Sequence, residues 1–159
     1  MTRLVKSAIV AVLLSPALLM RGSAQTSTIR DPIRDFDQFG DIKCEDEYAR
    51  LDNFALQLQQ EPNAKGVIIF YGGRVFRGKL PRRRDAAARA ARLKPYLVQR
   101  RGIKNQVIVI DGGYAEEWHV ELWVAPPGAS MFTPNPSIPI KQIKFRKGRV
   151  SPRAYRCGV

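Results

Sequence analysis

Residues 67–71, Val-Ile-Ile-Phe-Tyr, form a continuous apolar run that lies between Gly66 and the pair Gly72-Gly73. A short run of β-branched and aromatic residues bounded by glycines is typical of a strand that is buried on both faces. We therefore expect this segment to be a central strand of the fold.

Helical periodicity flanks this strand on both sides. Apolar residues recur at helical spacing from Glu45 to Gln60, and acids fill the first turn, where the helix dipole favours negative charge. Pro62 ends this predicted helix. A second helix is predicted from about Arg83 to Arg100, with Gly102 as its stop. It contains Pro95, which should kink it.

Three further segments complete the predicted sheet. A first strand or extended lead-in spans Phe36 to Ile42, and Gln106 to Ile110 has the pattern of another buried strand. Asp111-Gly112-Gly113 predicts a turn. From His119 to Val124 apolar and polar residues alternate, as in a half-buried strand. The order β-α-β-α-β-β indicates an α+β two-layer sandwich that ends near Val124.

The first 24 residues predict export. A basic start is followed by an apolar run from Ala8 to Met20, and Gly22 and Ala24 supply the small residues that a signal peptidase accepts. The run stops at Arg21 and is too short to span a bilayer, which favours a cleaved signal peptide over a membrane anchor. We therefore expect no membrane span, and a location in the periplasm or cell envelope, or secretion.

The rest of the chain divides into three predicted parts. Residues 25–35 form a linker, residues 36–124 form the folded domain, and residues 125–159 form a basic tail rich in proline. Within that tail, Ile138 to Phe145 could add one strand.

Two cysteines and a single histidine restrict the chemistry that the chain can perform. They leave too few ligands for a zinc site and no nucleophile–base pair, so we predict no metal, no cofactor and no enzymatic activity. A third hypothesis is an enzyme that uses Glu116 or Glu121, but glycosidase chemistry needs separated carboxylates tuned by their environment, which the adjacent pair Glu116-Glu117 does not show. Cys44 and Cys157 are expected to form a disulfide in an oxidising compartment, the alternatives being unrelated thiols or an intermolecular bridge.

Charge is strongly segregated along the sequence. Residues 31–61 contain nine acids and three bases, residues 74–104 contain twelve bases and one acid, and residues 141–156 contain seven bases and no acid. Such concentrated charge repels itself unless an anionic group lies opposite. Two interpretations stay open: the chain's own acidic segment neutralises the basic ones, or an external polyanion binds them.

A set of local matches between residues 36 and 124 resembles one known family. The matches are Phe36-Asp37, the helical pattern Leu51, Ala55 and Leu58, then Pro62, the strand Val67–Gly72, and Arg89-Ala90, Tyr96-Leu97-Val98 and Gly102-Ile103. Their order is similar to that of the OmpA-like domain, the peptidoglycan-associating C-terminal module of outer-membrane protein A and its relatives. The resemblance implies a non-enzymatic protein of the cell envelope.

The resemblance also implies a ligand clamp, of which half is missing. In the family, an Asp after the glycine turn pairs with the ammonium of a diaminopimelate stem, and a helix arginine pairs with its carboxylate. Arg89 matches that arginine. Gly66 to Arg84 contains no acid and offers Arg74 and Arg77 instead. We therefore expect the domain not to discriminate diaminopimelate-type stems.

The candidate ligand-binding residues are basic: Arg74, Arg77, Arg82 and Arg89. Arg89 is either a wall-ligand contact or one solvated arginine, while Arg82-Arg83-Arg84 with Arg100-Arg101 could bind phosphates. The leading hypothesis is an exported, diverged OmpA-like domain that binds peptidoglycan or another anionic envelope polymer. Lipid A, teichoic polymers and nucleic acid are further anions, of which nucleic acid is expected least. The alternative is a secreted module that keeps the fold and binds a protein partner.

Overall fold

The computed structural model describes residues 32–130, 133–151 and 155 of the 159-residue chain. The predicted signal peptide and Cys157 lie outside these residues. The strands are β1 (Arg34–Phe39), β2 (Lys65–Gly73), β3 (Val107–Ala115) and β4 (His119–Ala125). The helices are α1 (Cys44–Gln60), α2 (Asp85–Ala90) and α3 (Leu93–Pro95), followed by a π-helical segment at Tyr96–Arg100 and a 3₁₀ turn at Ile140–Gln142.

The four strands form one mixed sheet in the order β1-β4-β2-β3. β2 pairs in parallel with β3 and antiparallel with β4, and β4 pairs antiparallel with β1. The apolar run of residues 67–71 therefore has a strand on each side, and every residue in it is buried. The prediction of a central strand is confirmed, and so is the α+β class.

The main core lies between the helices and one face of the sheet. Leu51, Phe54 and Leu58 of α1 pack with Ile68 of β2 and Leu97, all of them fully buried. Burial of side chains of this size stabilises a fold by about 2 kcal/mol each. The approach of α1 to the sheet depends on Gly66, where a Cβ would lie 2.6 Å from Leu58 Cδ1. A larger residue at that position would require Leu58 and Phe54 to shift.

The opposite face of the sheet carries a second, smaller apolar cluster. Val67, Ile69 and Tyr71 of β2 belong to it, and Ile33 and Ala129 pack against it. Those two residues come from the segments that precede β1 and follow β4. The chain on either side of the sheet therefore helps to cover this face, which explains why β2 has no polar alternation.

The second helical region differs from the single kinked helix predicted from about Arg83 to Arg100. It begins at Asp85, breaks between α2 and α3, and ends in π-helical form. Pro95 has no N–H to donate to the carbonyl of residue 91, so the helix is expected to break near that residue. Gly102, at φ +75°, ends the region as predicted.

The turn predicted at Asp111-Gly112-Gly113 is wrong, because β3 continues to Ala115. The register shifts opposite Phe70 and Gly72 of β2, which inserts one extra residue into β3 as a bulge. Gly113 adopts φ +85° at the bulge, in the left-handed region that favours glycine. The Asp111 carboxylate accepts a hydrogen bond from the Gly113 N–H over 2.9 Å, which holds the bulge.

The extra strand predicted from Ile138 to Phe145 is also wrong. This segment contains the 3₁₀ turn and makes a single-residue bridge from Ile138 to Tyr114; a second bridge, just beyond it, joins Arg146 to Arg82. Pro139 lacks the N–H that a continuous ladder needs. The tail is thus attached at isolated points rather than along a strand. In the part of the chain that the structure describes, no helix has the length and apolar character to cross a membrane.

Candidate functional site

Part of the basic segment is neutralised inside the protein. Four of its arginines form ion pairs with acids of residues 31–61: Arg77 and Arg89 with Asp41, Arg92 with Glu47, and Arg101 with Asp52. These pairs connect the second helical region to α1 and to the loop before it. The interpretation that the acidic segment neutralises the basic one is confirmed for these side chains.

Arg89 lies at the centre of this internal network, and its side chain is only 5% exposed. Its Nη2 donates to Asp41 Oδ1 over 2.6 Å. The guanidinium carbon lies 4.0 Å from the ring centroid of Phe76, 4.3 Å from Trp118 and 5.8 Å from Tyr155. A cation held between aromatic faces is stabilised by the ring quadrupoles. Arg89 is therefore not the solvated arginine that was one alternative.

The pKa values of this pair reflect burial and mutual attraction. Burial lowers the pKa of Arg89 to about 10, against the charge of Asp41, so the guanidinium stays charged at neutral pH. Burial acts to raise the pKa of Asp41, but the hydrogen bond from Arg77 and the charge of Arg89 outweigh it and lower that pKa. Asp41 is thus ionised and shared between two arginines.

Asp41 is the site residue that sequence reasoning missed. The family pattern places a carboxylate after the glycine turn, whereas here the partner of Arg89 comes from the loop between β1 and α1. The two residues are 48 positions apart in the sequence. The membership of Asp41 in the acidic segment was the available signal, and it does not single out this residue from the other acids.

Tyr155 attaches the end of the tail to the same region. Its hydroxyl donates to Asp85 Oδ1 over 2.7 Å, and its carbonyl accepts from Arg92 Nη1 over 3.0 Å. Burial, together with the hydrogen bond to Asp85, raises the pKa of Tyr155 to about 12. Asp85 also accepts from the Arg82 N–H over 2.7 Å, so one buried carboxylate holds both the tail and the start of α2.

The predicted disulfide falls partly outside the described residues, because Cys157 is not among them. Arg92 contacts two residues that are close to the two cysteines in the sequence. Besides Tyr155, it donates through Nε to Glu47 Oε1 over 2.7 Å, within the first turn of α1 that begins at Cys44. The Cys44–Cys157 pairing stays a prediction.

A further set of bases comes from two segments that contact each other, and we call this set the joint basic surface: Arg82, Arg83, Arg84, Lys144, Arg146, Lys147 and Arg149. Among the described residues none of these seven takes part in an ion pair, and all except the half-buried Arg82 are exposed. They come from two segments that lie far apart in the sequence.

Backbone and side-chain contacts hold the two segments of this surface together. The Arg146 N–H donates to the Pro81 carbonyl over 3.0 Å. Arg82 Nη1 donates to the Arg149 carbonyl over 3.3 Å, across 67 positions of sequence. The Arg83 guanidinium lies 4.7 Å from the ring centroid of Phe145. The tail therefore supplies one of the two segments that form the surface.

The four predicted ligand-binding arginines do not form one site. Arg82 belongs to the joint basic surface, whereas Arg77 and Arg89 are paired with Asp41. Arg74 lies 3.1 Å from Glu116 in an exposed ion pair, whose energetic contribution is small. The structure thus divides residues that the sequence grouped by charge alone.

Within the described residues, no cluster of His, Cys, Asp or Glu could hold a metal ion. His119 stacks on Tyr71 at 4.4 Å between ring centroids and lies 3.7 Å from Glu121. This is the half-buried strand histidine that the alternation in β4 predicts.

The chain matches no protein-family model, and no curated protein matches it. The resemblance to the OmpA-like domain therefore stays a prediction, supported by the motifs of residues 36–124. Evidence on function comes from the charge distribution and geometry described above.

Proposed function

We propose that the protein is an exported, non-enzymatic protein of the cell envelope that binds an anionic envelope polymer, such as peptidoglycan, through the joint basic surface. The observation that carries this proposal is the convergence of two basic segments on one exposed surface without an acidic partner among the described residues. The predicted signal peptide and the resemblance to OmpA-like domains support the envelope as the location.

Repulsion among the bases of this surface lowers the stability of the isolated protein. The acids of residues 31–61 that pair with Arg77, Arg89, Arg92 and Arg101 are not available to offset it. A polyanion would remove the repulsion, and the release of its counterions would favour binding. Since exposed charges act over about 8 Å at physiological salt, binding of this kind should weaken as the salt concentration rises.

The geometry around Arg89 supports a mode of binding that differs from the family's clamp. Asp41 already pairs with Nη2 of Arg89, and the rings of Phe76 and Trp118 lie close to the guanidinium carbon. The Nε and Nη1 atoms of Arg89 are buried without a hydrogen-bond partner among the described residues, so a stem carboxylate would have to enter a buried site that Asp41 already shares. We therefore keep the prediction that the domain does not discriminate diaminopimelate-type stems. A diverged OmpA-like domain that uses a different surface fits these features.

Cosedimentation with purified peptidoglycan, teichoic polymer and lipid A vesicles tests the proposal over about 50 to 500 mM salt. The test variant combines Arg83→Gln, Arg84→Gln and Lys147→Gln. The matched control combines Lys94→Gln, Arg100→Gln and Lys104→Gln, which are exposed and without an ion pair among the described residues. It removes the same charge from the other end of the second helical region.

We expect the test variant to lose at least about tenfold in affinity for one of these polymers, and the control to lose much less. Equal losses would mean that net charge alone drives binding, and would overturn the assignment to this surface. If no polymer binds at low salt, the alternative is favoured: a secreted module that binds a protein partner.

A further inference from the structure

A cleft of about 550 Å³ lies beside the joint basic surface, between the start of α2 and the tail. Its volume lies within the range of small-ligand sites. Arg83, Arg84 and Asp111 provide its charged groups, and Tyr114, Pro136 and Pro139 provide much of its apolar wall. The combination of two cations, one anion and an apolar wall distinguishes it from the rest of the basic surface.

The tail side of the cleft is fixed to the sheet. The Ile138 N–H donates to the Tyr114 carbonyl over 3.0 Å. Pro136 lies directly over Gly113, where a Cβ would be 2.9 Å from the proline Cβ. The close contact requires glycine at this point of the bulge. The bulge in β3 and the tail therefore form the cleft together.

The cationic side is held in an unusual backbone conformation. Arg84 has φ +68°, in the left-handed region, although it carries a side chain. Such a conformation costs a non-glycine residue about 1 kcal/mol or more and often occurs at ligand-binding positions. Arg83 is oriented by Phe145. Both arginines are exposed at the cleft and have no ion pair among the described residues.

The anionic side has one carboxylate oxygen to spare. Asp111 accepts the hydrogen bond from the Gly113 N–H through Oδ1. Asp111 is an exposed residue of the cleft wall. No hydrogen bond to Oδ2 is made within the described residues. A carboxylate oxygen in this position can accept a hydrogen bond from a hydroxyl group.

Simpler ligands would use only part of this wall. A bare polyanion would be repelled by Asp111 and would gain nothing from the prolines. An apolar ligand would leave both arginines without a partner. A sugar that bears a phosphate uses all three, since phosphate pairs with guanidinium groups, hydroxyls donate to the carboxylate, and the C–H face of the ring packs on Tyr114 and the prolines.

We infer that this cleft binds a phosphorylated sugar unit. The inference rests on the proposed function, in that the sugar phosphate would be part of the envelope polymer held by the joint basic surface. Two adjacent arginines can each donate to the oxygens of one phosphate group, and guanidinium groups match phosphate geometry with paired hydrogen bonds. The cleft would thus give chemical selectivity to a surface that otherwise recognises charge alone.

Amide NMR titrations of the exported chain with glucose 1-phosphate, inorganic phosphate and glucose test this inference. We expect glucose 1-phosphate to shift the resonances of Arg84, Gly113 and Tyr114 and to bind about tenfold more tightly than inorganic phosphate. Shifts that map away from these residues, or equal affinities for the two phosphates, would overturn it.

The variant Asp111→Asn separates the roles of the two sides. It removes the charge but keeps an oxygen that can hold Gly113, so inorganic phosphate should bind slightly better and the preference for the sugar phosphate should fall. Arg84→Gln should weaken both ligands, and Lys104→Gln should weaken neither. A preference that survives Asp111→Asn undiminished would show that the carboxylate does not contact the sugar.

Polymer cosedimentation distinguishes this inference from the proposed function. If polymers bind and sugar phosphates show no preference, the cleft assignment fails and the joint basic surface stands. If sugar phosphates bind in the cleft and no polymer sediments with the protein, the proposed function fails instead. Competition by lipid A vesicles against soluble teichoic polymer then identifies the source of the phosphate.

Discussion

Arg89 and Arg83 belong to the same basic stretch of sequence, but the structure places them in opposite environments. Arg89 is buried between Phe76 and Trp118 and paired with Asp41, whereas Arg83 is exposed beside the tail. The charge of a segment therefore does not determine what each of its arginines does. Arg89 stabilises the fold because the loop before α1 brings Asp41 to it, whereas Arg83 has no acidic partner among the described residues and is available to a ligand.

The largest expected effect is on stability, at Arg89. Arg89→Ala should lower the free energy of unfolding by about 3 kcal/mol, because it breaks a buried ion pair and empties an aromatic cage. Arg83→Ala should change it by less than about 0.5 kcal/mol. Urea denaturation of both variants measures the contrast. Similar losses for the two would break the distinction between internal and exposed arginines.

A second effect concerns the covalent attachment of the tail. The double variant Cys44→Ser with Cys157→Ser should lose about 2 kcal/mol, near the low end for a long loop, because the contacts of Tyr155 already restrain the chain end. Thermal denaturation with and without reductant gives the loss. Thiol titration of the non-reduced protein is the control, and two reactive thiols in the folded monomer would contradict the predicted disulfide.

Tyr155 should contribute a smaller amount. Tyr155→Phe removes the hydrogen bond to Asp85 and keeps the ring, so we expect a loss of about 1 kcal/mol at neutral pH. The pKa of Tyr155 is raised to about 12, above the usual value of 10.0. Its contribution is therefore complete below pH 10 and declines as the pH rises towards 12. Absorbance titration of tyrosinate against the Phe variant measures this, and a tyrosine that titrates normally would refute it.

The smallest effect is expected in acid. The pKa of Asp41 is lowered from its ordinary value of 3.8, so its ion pairs contribute in full above that pH and lose strength as the pH falls below it. Asp41→Asn should flatten the dependence of unfolding free energy on pH in this acid range. Asp46→Asn, on the same acidic segment and exposed, provides the control. A slope that is unchanged by Asp41→Asn would show that the Arg89 network does not depend on this charge.

Sequence predicted those elements whose signal is local. β2 and α1 follow from an apolar run and a helical repeat, and each element buries the residues that its own pattern selects. The continuation of β3 could not be predicted in this way, because it depends on the pairing of β3 with β2, a tertiary contact between distant segments. Propensity for a turn at Asp111-Gly112-Gly113 gave way to that tertiary contact.

The candidate site was only half predictable for the same reason. Sequence identified the excess of basic residues and named Arg82 among them. It could not pair Arg89 with Asp41, or place Arg149 beside Arg82, because both contacts join segments that are distant along the chain. Periodicity locates a residue on its own element, whereas a contact between elements depends on how those elements pack.

Because the joint basic surface is assembled from two distant segments, the proposed binding of a polymer would be coupled to folding. In an unfolded chain, Arg82–Arg84 and the basic residues of the tail are separate charges, and a polyanion gains little from either. Docking of the tail creates the full surface, so a polymer that binds this surface would bind the folded state preferentially. Ligand present at a hundred times its dissociation constant would then add about 2.7 kcal/mol to the stability. If the proposed function holds, the ligand that this surface binds would also be a stabiliser of the fold.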